Sequence, residues 1–368
     1  MSRFASVGLL ALTVLFGVEL ATRLEDWVRF GDSFLSRYSS QGDLAVRAPD
    51  GAHGRRNAQF EKWTMNNLGF RGPPADSAKA PGGIRVILSG ASEAFGLYES
   101  PGGELARQLE DSLRERRSGA GCPIEVWNAA FAGMSLPTIA QDIRLRLRRF
   151  DPDLIVLYPT PAFYLDHSIP FATTPDSTVR GDETPSLALA LLPRSWERLR
   201  AEGKELVPKF FATWLREWRV QHAEQTRGEG WRYYKLPPDR VDLFEVQVRD
   251  VVAAVREIGA QVILATHGNA FGFGTGRPVD PALLIAWERF HPRATSDVLI
   301  AFDSAARARV YRIAGDSLPV SDAALRLAQS PQVPFQDYAH FNDHGAAVAA
   351  GAIAETVAKA LGGRLECH

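Results

Sequence analysis

Four short, mainly apolar runs set the possibilities for this chain: Ile84–Leu88 (broken only by Arg85), Ile124–Trp127 (broken only by Glu125), Leu154–Tyr158 and Val262–Thr266. Apolar runs of this length, without polar alternation, read as strands buried on both faces. The segments between them have helical length and periodicity, at Gly103–Arg116, Leu136–Arg149 and Asp242–Ile258. A weaker fifth strand is expected at Leu318–Val320 after a helix around Ser304–Ile313, and a last helix from about Asp343 to Leu361. Strands separated by helices mean βαβ units, right-handed crossovers and a parallel sheet covered on both faces.

The N-terminus follows a different logic. Met1-Ser2-Arg3 precedes an apolar stretch from Phe4 to Val18, without a small-x-small cleavage site directly after it. This pattern favours an uncleaved signal anchor over a cleaved signal peptide, with the body exported. Residues 1–23 are therefore expected to anchor the chain in a membrane, and residues 24–60 to form a juxtamembrane helix and linker. The α/β domain is expected over 61–368, with a helical insertion at 165–240. In that insertion Trp214 and Trp218 stand one turn apart, with Phe211 one turn earlier. Such an aromatic face either packs on the sheet domain, covers the site as a lid, or lies at a membrane interface. The 42 basic and 43 acidic residues are interspersed, with a net charge of -1, so there is no nucleic-acid footprint.

Chemistry is expected where the strands run out. The first strand ends in Ser89-Gly90-Ala91-Ser92, which puts the Ser92 hydroxyl at the carboxyl end of a buried strand. A serine there more often caps the following helix. Three other features single it out. Val126-Trp127-Asn128 runs into a small-residue loop containing Gly133, whose backbone N–H can approach a ligand closely. Leu157-Tyr158-Pro159-Thr160 is a second strand-to-loop junction. Asp337 and His340, three apart in the loop before the final helix, can aim an imidazole at a nucleophile while the carboxylate orients its other nitrogen. Metal-ligand spacing, a phosphate-binding glycine loop and a dinucleotide fingerprint are not found, so no cofactor is expected. Gly272-Phe273-Gly274-Thr275-Gly276 reads as a flexible loop.

Taken together, these residues resemble the SGNH/GDSL hydrolase superfamily over roughly residues 66 to 361. Gly90-Ala91-Ser92 with Phe95-Gly96 is similar to the family's first block, Gly133 to its second, and Asp337-x-x-His340 followed by Asn342-Asp343-His344-Gly345 to its fifth. The Asn66-Asn67-Leu68-Gly69-Phe70-Arg71 stretch and the N-terminal anchor are similar to membrane-tethered bacterial members. The resemblance implies a three-layer α/β/α flavodoxin-like fold with about five parallel strands, and ester or acyl-transfer chemistry. It implies Ser92 as nucleophile, His340 as base and Asp337 as its orienting carboxylate. The oxyanion would be held by the N–H groups of Ser92 and Gly133, with the Thr160 hydroxyl as a further candidate. Two departures stand out: the family's Asp before the nucleophile is Ala91, and the Asn of its third block is Ala162. Loss of one oxyanion donor typically costs about 2.7–4 kcal/mol of transition-state stabilisation.

Two literal Gly-Asp-Ser triplets, Gly31-Asp32-Ser33 and Gly315-Asp316-Ser317, are rejected because neither follows a buried strand in the family's block order. The resulting expectation is a membrane-anchored extracytoplasmic serine esterase acting on an acyl-ester or glycan substrate. The alternatives are a polysaccharide O-acetyltransferase with the same triad and a degenerate binding or scaffold protein. Cys122 precedes the second strand, and the last helix runs Cys367 away from the site toward the same pole, so the two cysteines of this exported chain are expected to pair.

Overall fold

The computed structural model of the chain describes residues 3–48, 51–117, 123–166, 194–195, 209–228, 230–271 and 280–365. The expected Cys122–Cys367 pair and the Gly272–Gly276 loop lie outside the described residues, as does most of the insertion.

Helix α1 (Arg3–Phe30) runs unbroken past the expected end of the anchor at residue 23 and stops where Gly31 takes up a left-handed φ of +66°. Its first half is exposed, and its second half buries one face while Leu20, Leu24, Trp27 and Val28 stay exposed. Val7, Leu10, Leu12 and Phe16 are exposed, whereas Glu19, Thr22, Arg23 and Asp26 are buried against the body. Arg23 pairs with Glu19 at 2.8 Å and donates to the carbonyls of Phe34 and Ser36. Arg194 reaches Asp26 at 3.0 Å and Asp32 at 2.6 Å, which places Asp32 of the first rejected triplet in a structural ion cluster.

The stretch expected to be a linker instead folds onto the body. It makes two antiparallel hairpins, β1 (Ala45–Ala48) with β2 (Gly51–Gly54) and β3 (Gln59–Phe60) with β4 (Trp63–Thr64). Leu44, Ala58, Met65 and Phe70 join the main hydrophobic core. These apolar residues are too widely spaced to give a strand or helix signature, and the core recruits them through loops.

Five parallel strands follow: β5 (Ile84–Gly90), β6 (Ile124–Asn128), β7 (Leu154–Tyr158), β8 (Gln261–Ala265) and β9 (Val320–Ser321). Their order across the sheet is β6-β5-β7-β8-β9, the doubly wound flavodoxin-like order. β5 and β7 are buried at every residue, as strands covered by helices on both sides must be. The first helical turn after β5 is α2 (Ser92–Phe95). α3 (Leu105–Arg116) packs with the last helix of the chain, and α4 (Leu136–Leu145) packs with the long helix that precedes β8.

The later helices are α5 (Lys209–Arg227), α6 (Pro238–Glu257), α7 (Pro281–Phe290), α8 (Ser296–Ala314), α9 (Ala323–Gln329) and α10 (Asp343–Leu361). α8 starts at Ser296 rather than Ser304, because Thr295 caps it and Val298 and Leu299 in the first turn, then Phe302 in the second, are buried. On α5, Trp214 and Trp218 are both half exposed, so this aromatic pair is not packed into the sheet domain. The sheet order places the topological switch point at the carboxyl end of β5, directly before Ser92.

Candidate active site

The turn that carries Ser92 is shaped by small residues and held by its neighbours. A Cβ on Gly90 would lie 2.7 Å from both the Ala94 Cβ and the Tyr158 carbonyl oxygen, so only glycine lets the chain pass between them. Ser92 then opens the single turn of α2, which Gly96 closes at φ +89°. The Asn128 side chain donates to the Ala94 carbonyl at 3.0 Å, and the Arg71 guanidinium donates to the carbonyls of Phe95 and Gly96. Arg71 is itself fixed by Glu104 at 3.1 Å and by a backbone bond to Asn128. Asn66 builds the turn that presents Arg71, its Oδ1 accepting from Leu68 N and Phe70 N at 2.9 and 3.0 Å. The Asn-x-Leu-Gly-Phe-Arg stretch thus braces the serine turn from behind, a role its sequence alone does not reveal.

Asp337 and His340 meet in the loop before α10. His340 Nδ1 lies 2.8 Å from Asp337 Oδ2 and 3.0 Å from Oδ1, and Oδ1 also accepts the N–H groups of Ala339 and His340 at 2.9 Å. A carboxylate held this firmly assigns the Nδ1–H tautomer and leaves Nε2 as the free base. Nε2 is buried and has no hydrogen-bond partner among the described residues. The Tyr98 ring meets the imidazole edge-on, at 5.7 Å between centroids. Burial acts to lower the His340 pKa, but the hydrogen bond to Asp337 and the charges of Glu93 and Asp337 outweigh it and raise it. Burial likewise opposes the charge on Asp337, yet its bonds to His340 hold it below the usual carboxylate range.

A group with no role in the sequence reading stands beside both. Glu93, the residue after Ser92, is fully enclosed, and its Oε2 accepts the Ser92 hydroxyl at 3.2 Å and the Thr160 hydroxyl at 2.7 Å. Its Oε1 faces His267 Nε2 at 3.5 Å, an ion pair at contact distance rather than a formed hydrogen bond. His267 Nδ1 in turn lies 2.5 Å from Asp303 of α8, and Asp303 pairs with Arg307 at 3.2 Å. Burial would suppress charge along this chain, but its members compensate one another. Against desolvation, His267 and the other partners hold Glu93 down to about 2, and Asp303 and Glu93 raise His267 to about 9.

The sequence-derived candidates are distributed as follows. Ser92 and Thr160 both converge on Glu93, and Asp337 joins His340, while no hydrogen bond links Ser92 to His340. Gly133 is exposed at φ +83° on the loop between β6 and α4. The Thr160 hydroxyl is turned to Glu93, so its proton is not aimed at an oxyanion in this arrangement. Ala162 is buried in the 3-10 turn Pro161–Leu165 and contributes no side-chain donor. Glu93 was legible in principle, as a charged residue next to the serine at the end of a fully buried strand. His267 was legible only as a polar residue at the exit of β8.

The sheet order and the two helical layers make this a three-layer α/β/α protein, the architecture that the resemblance to SGNH/GDSL hydrolases implies. No family model matches the chain, and no curated protein does. Solved structures similar to it include a lipase/acylhydrolase from Enterococcus faecalis at 13% identity and TM-score 0.40, covering 75% of this chain and 96% of that one. A GDSL-like lipase from Bacteroides thetaiotaomicron matches at 11% identity and TM-score 0.40, covering 75% and 89%. A mutant form of an acetyl-xylooligosaccharide esterase from Geobacillus matches at 12% identity and TM-score 0.42, covering 74% and 94%.

Proposed function

We propose that this protein is a membrane-anchored, extracytoplasmic serine ester hydrolase of the SGNH/GDSL type, acting on small acyl esters through Ser92, His340 and Asp337. The observation that carries the reading is the Asp337–His340 pair, which leaves a buried imidazole Nε2 without a partner among the described residues, at the sheet edge that bears Ser92. Ser92 Oγ attacks the ester carbonyl carbon while His340 Nε2 takes its proton. The N–H groups of Ser92 and Gly133 receive the oxyanion. Collapse of the tetrahedral intermediate passes that proton to the departing alcohol and leaves an acyl-Ser92 ester. Water, deprotonated by His340, then releases the acid and restores the serine. A carbohydrate hydroxyl in place of water makes the same steps an O-acyl transfer.

A second reading has one observation in its favour. Ala162 supplies no side-chain donor where the family's third block has Asn, which suits a binding protein that retains the fold without turnover. Hydrolysis of an aryl acetate and of an acetylated xylooligosaccharide, by wild type and by Ser92→Ala, separates the two. The expected loss on substitution is at least about 10³-fold in kcat. Because the base must be neutral and its pKa is raised above the ordinary value of 6.5, kcat/KM falls as pH drops through a midpoint above 6.5. Equal rates for wild type and Ser92→Ala would sink the hydrolase reading in favour of the second.

A further inference from the structure

The site contains a second carboxylate that the proposed reaction does not use. Glu93 is enclosed next to the nucleophile, and burying a carboxylate there is costly unless it is matched. The fold matches it with an alternating chain of charges running from α2 through the β8 loop into α8: Glu93, His267, Asp303 and Arg307. Apolar residues of similar volume would fill this space at lower cost, so the position of the chain, ending on the Ser92 hydroxyl, calls for a functional account.

We propose that Glu93 is a positioning residue of the Ser92 site, holding the Ser92 hydroxyl in its resting orientation and stabilising the His340 imidazolium that forms during acyl transfer. The inference rests on the Ser92–His340 reading given above. Its geometric basis is the shared carboxylate: one oxygen accepts the Ser92 and Thr160 hydroxyls, and the other faces His267. The Ser92 hydroxyl is turned toward Glu93 rather than His340 Nε2, and rotation of that hydroxyl onto Nε2 begins the reaction. The remaining groups facing His340 are Asp337 and Tyr338 of its own loop, and Tyr98 and Glu99 from the loop after α2. Glu93 is the carboxylate that touches the nucleophile as well as acting on the base. Its link to His267, working against the cost of burial, keeps it ionised throughout the range in which His340 titrates.

The test follows the His340 titration by NMR in the full chain in detergent micelles, with selectively ¹³C-labelled histidine and His340→Gln for assignment. Alongside it, the rate of fluorophosphonate labelling is measured against pH. Glu93→Gln is expected to lower the His340 midpoint by about one pH unit. The acid limb of labelling should move down with it, and the labelling rate on the plateau should fall about tenfold. An unchanged midpoint would overturn the proposal. Glu93→Asp guards against a variant that fails to fold: it keeps the charge, so the midpoint stays near wild type, while its shorter reach slows labelling. A wild-type labelling rate in Glu93→Asp would also overturn the proposal. If the wild type itself does not label, the hydrolase reading fails separately, and the titration still decides whether Glu93 acts on His340.

Discussion

Glu99 shows how a single side chain can record the demands of its surroundings. It is fully buried, its Oε2 accepts from Tyr98 N at 3.0 Å, and its Oε1 has no hydrogen-bond partner among the described residues. Desolvation dominates over the neighbouring Arg71 and Lys62 charges, pushing its carboxyl up to about 7. A carboxyl raised in the fold costs nothing below its unfolded value near 4.5, and a growing amount as pH rises toward 7. Glu99→Gln should therefore stabilise the protein at pH 8 by on the order of 1–3 kcal/mol and leave it nearly unchanged at pH 4.5. Thermal unfolding at the two pH values checks this, and an equal shift at both would contradict it. The linked Glu93 and His267 charges stabilise the fold instead of destabilising it, each within its own pH window. The His267 contribution is fully present below about 6.5 and lost as pH rises through about 9, and that of Glu93 is present above about 4.5 and lost as pH falls through about 2. At this scale the sequence was partly legible. Strand ends and spacing single out Ser92, Asp337 and His340 as candidates, whereas Glu93 acquires meaning only from His267 and Asp303, each brought to it by tertiary folding.

Among the elements, α1 departs furthest from a simple tether. Its inner half is locked by Glu19, Arg23 and Asp26 to residues far along the chain, with Arg194 reaching Asp26 and Asp32 and Ser195 N donating to Glu19 at 2.9 Å. These buried ion pairs tie the inner half of α1 to the body of the protein. Breaking one partner out of a buried pair strands the other, commonly at about 3–5 kcal/mol. Arg194→Met is therefore expected to loosen the junction after Phe30 and speed tryptic cleavage there, while aryl acetate hydrolysis is retained. Unchanged cleavage would mean the ion cluster does not secure the helix. The strands of the parallel sheet were legible because burial on both faces leaves them mainly apolar, with Arg85 and Glu125 as interruptions. The two hairpins of residues 45–64 were not, because strands of two to four residues carry no usable periodicity and are set by pairing with the body. β9 was displaced toward Ser321 for a similar reason: only the Leu264–Val320 and Ala265–Ser321 pairs define it.

On the scale of the molecule, the five parallel strands bring their exits to one edge of the sheet, and the strand order puts Ser92 at the switch point between outward-growing halves. The fold class was legible because the βαβ rhythm allows few topologies. Whether the site catalyses was not, since Ala162 and the Glu93 chain both alter the environment that the family pattern would predict. The braced serine turn and the Asp337–His340 pair are the features on which the proposed acyl-ester cleavage rests. The most direct test is reaction of the purified full chain with a fluorophosphonate, followed by peptide mapping. A single phosphonylated residue at Ser92 is expected, lost in Ser92→Ala and strongly slowed in His340→Gln. An unreacted Ser92, or an adduct at another serine that survives Ser92→Ala, would contradict it.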